Sequence, residues 1–175
     1  MLLGDAMDIL IVIFIFVIVI LCISDKEECE TDDNKTDKFG RLYFLGDEWW
    51  KIATLEDVVK KIESGVDVNV RNTLVKGKTP LMYAGENNSN PEVIRLLVKY
   101  GADVDLSNEK GITPLMYASR NNSNPEVIAA LLVCGADVKA KDKEGNTVLD
   151  YAKNNNKIYA TEIYWLLNEV ICEED

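Results

Sequence analysis

Residues 79–93 read TPLMYAGENNSNPEV, and residues 113–127 read TPLMYASRNNSNPEV. Set side by side without a gap, residues 79–112 and 113–146 share 20 of 34 positions. Thr79, Thr113 and Thr147 stand 34 apart, as do Pro91 and Pro125, and Gly101 and Gly135. A third copy opens at TVLDYA, residues 147–152, and a divergent one ends in TLEDVVKKIESGVDVNV, residues 54–70. Such self-similarity at one period describes a stack of equal units. A single unit cannot bury its apolar face alone, and its neighbour can.

Each unit has a local reading. Thr79 before Pro80 places a helix N-cap ahead of proline at the first helical position. PLMYAGEN is then a short helix, with Leu81 and Ala84 on one face. NNSN is a loop, and a second helix opens at Pro91-Glu92. Ile94, Leu97 and Val98 recur at helical spacing, and Gly101 closes the helix in the left-handed position. ADVDLSNEKG runs out to a turn and returns to the next Thr-Pro. Asp67, Asp103 and Asp137 sit at that turn and are expected to bond backbone N–H groups.

The pattern TPLMYA…PEVIxxLL…GADV…G resembles the ankyrin repeat over residues 44–172, about three quarters of the chain. The resemblance implies an all-α solenoid of about four helix–turn–helix repeats with projecting β-turns, near 44–78, 79–112, 113–146 and 147–172. LGDEWWKIATLEDVVKKIESG is similar to an N-terminal capping repeat. The stretch from Thr147 onward is similar to a C-terminal one with a longer last helix. Met82, Met116 and Asp150 stand where the family has histidine, so the hydrogen bonds of that histidine are expected to be missing. Each middle unit is also one residue longer than the family's usual repeat, within NNSNP.

The resemblance implies protein–protein recognition. Tyr83, Tyr117 and Tyr151 fall at the variable position that faces the family's concave groove. Two readings stay open for them: a partly exposed aromatic stripe that binds a partner, or copied residues packing on neighbouring helices. Lys78, Glu109, Lys110, Ile112, Lys143, Glu144 and Asn146 mark the turn tips and are candidate contacts.

Residues 9–23, ILIVIFIFVIVILCI, contain no polar side chain. At 1.5 Å per residue they cover roughly 22 Å, short of a hydrocarbon core of about 30 Å unless extended toward Leu2 or Ala6. The preceding MLLGDAMD is acidic and no small-residue cleavage site follows. Residues 1–23 are therefore expected to be a retained single-pass anchor, with a cleaved signal sequence as the alternative. Lys26, Lys35, Lys38 and Arg41 all follow the run, which favours a cytoplasmic domain over a periplasmic or extracellular one. Residues 24–43 form a polar, mostly acidic tether, and 44–175 form the repeat domain.

The formal net charge is −11, of which residues 1–38 contribute −6 through nine acidic and three basic side chains. Such a chain is poorly suited to phosphate backbones, so no nucleic-acid partner is expected. There is no histidine, which removes Ser/His and Cys/His nucleophile pairs and the commonest metal ligand. Cys22, Cys29, Cys134 and Cys172 form no C-x-x-C pair and read as free thiols. KGKT at 76–79 lacks the upstream glycine of a phosphate loop, because Asn72 stands there. Asn34-Lys35-Thr36, Asn87-Asn88-Ser89 and Asn121-Asn122-Ser123 fit the N-glycosylation pattern by chance in an asparagine-rich chain. The expected protein is a membrane-anchored interaction module with no catalysis, cofactor, metal or small-molecule substrate. It binds another protein by its groove and tips. The rival is an exported or periplasmic accessory factor that assists or inhibits an enzyme.

Overall fold

Each Thr-Pro and Asn-Pro step in the repeats begins a helix in the computed structural model, which describes residues 46–172. The apolar run 9–23, the tether 24–43 and the start of the repeat domain lie outside the described residues. Among the described residues there is no strand, and no helix is long and apolar enough to cross a membrane.

The elements are α1 (Asp47–Ile52), α2 (Leu55–Glu63), a 3₁₀ turn (Thr73–Val75), α3 (Pro80–Asn87), α4 (Pro91–Lys99), α5 (Pro114–Asn121), α6 (Pro125–Val133), α7 (Val148–Ala152), α8 (Asn156–Tyr159) and α9 (Glu162–Cys172). The hydroxyl oxygens of Thr79 and Thr113 accept from the N–H of Met82 and Met116, and proline holds the first position of both helices. Asn90 and Asn124 do the same for α4 and α6, accepting from Glu92 and Glu126. Tyr100 and Cys134 end these helices, and Gly101 and Gly135 follow at φ +94° and +92°. Only glycine takes that backbone without strain.

Three residues join α3 to α4, so the two helices fold back on each other as a hairpin. The first helices α1, α3, α5 and α7 stack as one layer, and α2, α4 and α6 as a second, with α9 closing against α7 and α6. Between the layers Leu81, Ala84, Val93, Ile94 and Leu97 meet Leu115, Ala118, Val127, Ile128 and Leu131, all 1% exposed or less. Fully burying one of these Leu, Ile or Val side chains contributes about 1.5–3 kcal/mol. The last unit departs from its siblings: α7 is a five-residue helix, and α8 inserts a further turn before α9.

Polar side chains also join the units. Asn88, Asn122 and Asn155 are buried. Asn122 donates to the carbonyls of Gly85 and Asn88, at 2.7 and 2.9 Å. Asn88 reaches Trp50 and Ala53 in the same way, and Asn155 reaches Ser119 and Asn122. Each side-chain oxygen accepts an N–H two residues on, which starts the following helix. The amide thus satisfies C-terminal carbonyls of the previous unit that have no partner within their own helix.

The expected loss of the histidine bonds is corrected in part. The Met82 sulfur accepts a long 3.4 Å bond from the Thr79 N–H. The Asp150 carboxylate accepts from both the N–H and the hydroxyl of Thr147, at 2.9 and 2.7 Å. An acidic side chain at the third helical position thus closes a capping box where the family has histidine.

Candidate functional site

The turns project where the sequence places them. Asp67, Asp103 and Asp137 accept from the N–H groups of Asn69, Asp105 and Lys139. Adjacent tips are joined by backbone: Glu109 N–H donates to the Lys76 carbonyl and Lys143 N–H to the Lys110 carbonyl, both at 2.9 Å. Gly111 permits the second contact, since a Cβ there would lie 2.9 Å from the Lys143 nitrogen.

The three tyrosines anchor these tips to the first helices. Asn72 donates to the Tyr83 hydroxyl at 2.9 Å, and Asn108 donates to that of Tyr117 at 3.0 Å. In the third unit the polarity reverses, and Tyr151 donates to Asp142. Asn72, Asn108 and Asp142 are buried and were not singled out in the sequence. Their signal was Asn108 and Asp142 standing 34 apart, each three residues before a tip glycine.

The rings are not equally exposed. Tyr83 is 1% exposed, whereas Tyr117 and Tyr151 are half-buried. Of the two readings left open, the partly exposed stripe does not fit Tyr83, and packing on neighbouring helices does. The reason is Lys78, expected at a solvated tip and found 3% exposed. Its Nζ lies 4.0 Å from the centre of the Tyr83 ring and 5.0 Å from that of Tyr117. It pairs with Asp47 of α1 at 2.9 Å and with Glu86 of α3. Two carboxylates and two aromatic faces compensate a buried ammonium.

Burial shifts the titration of this row. It pushes the Tyr83 phenol up to about 12, against the Asn72 bond, which acts the other way. Burial raises Tyr117, and burial together with the bond to Asp142 raises Tyr151 well above the usual range. At Asp142 burial favours the neutral acid. The donors Tyr151 Oη–H, Asn146 Nδ2–H and the N–H groups of Asn146 and Glu144 outweigh it and hold the carboxyl near 2.

Beside this row two adjoining hollows of about 400 and 330 Å³ open between the tips and the first helices. The smaller is lined by Glu109, Lys110, Ile112, Lys143, Glu144, Asn146 and Tyr151 from the sequence-derived candidates, together with Asp142 and Arg120. The larger is lined by Arg120, Asn146, Asp150, Tyr151 and Asn154. Glu109, Lys110, Lys143 and Glu144 are exposed, Asn146 is half-buried and Ile112 is buried. Lys78, Tyr83 and Tyr117 line neither hollow. Arg120, at the centre, was missed because its partner in the alignment is Glu86, so the repeat gives no hint of it. Among the described residues no group of three or more His, Cys, Asp or Glu side chains is placed to hold a metal ion.

Residues 51–142 match the family described as ankyrin repeats (3 copies). Over 44 residues the chain is 50% identical to an ankyrin repeat protein of Rickettsia bellii (strain RML369-C), a stretch that is 25% of this chain and 24% of that relative.

Proposed function

The chain belongs to the ankyrin-repeat family, a family of protein–protein interaction modules, and on that premise we propose a membrane-tethered adaptor that captures another protein in the hollow between its tips and first helices. The observation that carries this reading is the convergence of exposed tip residues of two successive units, Glu109 and Lys110 with Lys143 and Glu144, on the half-buried Tyr151. Side chains that sit on fixed turns and form few internal bonds contribute little to folding and are available to a partner. Tyr151 supplies aromatic area beside them. The adaptor itself carries out no catalysis. Changing Glu109, Lys110, Lys143 and Glu144 together to Ala should leave the melting temperature close to wild type and abolish partner capture. Full capture by the folded variant would move the site elsewhere.

Tethering rests on the apolar run 9–23. The full chain should resist alkaline extraction from membranes and keep its N-terminal mass. A mature form shortened by residues 1–23 would instead make that segment a signal sequence.

A further inference from the structure

Arg120 lines both hollows and is exposed, and its guanidinium has no hydrogen bond or ion pair among the described residues. Four carboxylates line the same space, and those of Asp142 and Asp150 are already engaged. Asp142 accepts from Glu144 N–H, both N–H groups of Asn146 and the Tyr151 hydroxyl. Asp150 accepts twice from Thr147 and once from Lys153. The guanidinium therefore faces the groove with its donors unused, in a chain whose net charge is −11. At the rim the charges of Lys110 and Lys143 are balanced by those of Glu109 and Glu144, so Arg120 is the cation left in the hollow without a partner among the described residues.

We propose that Arg120 is the specificity-determining contact of the groove, and that it takes the side-chain carboxylate of an Asp or Glu in an extended segment of the partner protein. This rests on the groove being the binding site. The geometry suits a carboxylate: the guanidinium fork matches two carboxylate oxygens in a bidentate pair. A single negative charge is also tolerated between the rim carboxylates of Glu109 and Glu144, whereas a phosphate of about −2 is repelled more strongly. Tyr151, half-buried in the wall of the same hollow, offers its ring to the methylene stem of the incoming side chain.

The test is selection of displayed random peptides on the full chain in mild detergent, with wild-type and Arg120→Glu baits in parallel. Because Arg120 is exposed and unpaired, R120E should melt with wild type. The wild-type bait should enrich peptides with Asp or Glu at one fixed position, and R120E should enrich Lys or Arg there. A synthetic wild-type-selected peptide should lose affinity about tenfold or more on R120E, and lose it again when its acidic residue is replaced by the amide. Enrichment of one non-acidic consensus on both baits would overturn the carboxylate assignment and leave the groove standing, provided changing Lys110 and Lys143 to Ala weakens it. A tenfold gain on replacing the acidic residue by phosphoserine would assign the site to a phosphoprotein instead. No enrichment on either bait would overturn both the assignment and the groove.

Discussion

At 1% exposure Tyr83 sits in the apolar core, under the ammonium of Lys78. Its repeat equivalents Tyr117 and Tyr151 stay half-buried. Periodicity identified the three as equivalent, but depth of burial depends on partners distant in sequence. Here that partner is Asp47, 31 residues before Lys78. The helix caps at Thr79 and Thr113 were legible for the opposite reason, since acceptor and donor lie three residues apart. Truncating Tyr83 to Ala should cost roughly 3–5 kcal/mol, as for other large core aromatics. Tyr83→Phe should cost about 1 kcal/mol, because it removes one hydrogen bond. Urea unfolding of both variants checks this, and equal midpoints would show that the ring is not core. The tip acids and phenols also set a pH dependence. Asp142 is held near 2 in the fold against about 3.9 unfolded. Its contribution, on the order of 2 kcal/mol, is present above pH 4 and disappears as pH falls toward 2. Asp57 and Asp150, held below the usual range by the Thr54 and Thr147 donors, lose theirs over the same limb. Tyr83 works in the other direction. Its raised pKa favours the fold below pH 10, and that share disappears as pH rises through about 12. In urea midpoints measured across pH, Asp142→Asn should flatten the acid limb and Tyr83→Phe the alkaline one. Unchanged limbs would remove both assignments.

Helices and turns were largely readable because their signals are local and occur more than once. The exception is NNSN, a stretch read only as a loop with a chance glycosylation pattern. Its second asparagine, at 88 and 122, is the polar link between units, and Asn155 takes the role in the last unit without any NNSN around it. Nothing in the spacing shows this, since each acceptor lies 33 to 38 residues away. A buried amide that makes three bonds should matter more than its loop position suggests. Asn122→Ala leaves the carbonyls of Gly85 and Asn88 without their donor and the N–H of Asn124 without its acceptor. The expected cost is roughly 2–4 kcal/mol, since a buried group left unpaired costs more than the net value of the bond. Asn121→Ala, at the adjacent exposed position, is the control. A melting temperature for Asn122→Ala equal to that of the control would mean that water replaces the amide, and that the link is structurally dispensable.

A stack of units is held by what passes between neighbours, so its stability is distributed along one axis. Among the described residues, the first and last units have a neighbour on one side only. Ile52 and Leu55 at the beginning, and Trp165, Leu166 and Val170 at the end, are exposed accordingly. The middle units carry Leu97 and Leu131, both fully buried, on inner stripes that the sequence already marked. Local opening should therefore start at α1–α2 and α8–α9 and reach α3–α6 last. Amide exchange should be slowest within Pro80–Lys99 and Pro114–Val133 and faster in Asp47–Glu63 and Asn156–Cys172. Leu131→Ala sharpens the test. It removes side-chain volume from α6, where Leu131 packs in the shared core, at an expected 2–5 kcal/mol. If neighbour contacts carry the stability, exchange should accelerate in α3–α4 and α7–α9 as well as in α5–α6, because both flanking units lose a packed wall. Acceleration confined to residues 114–133 would mean that each helix pair is stable by itself. The repeated string would then record duplication of the sequence, and the mutual support between copies argued for here would be absent.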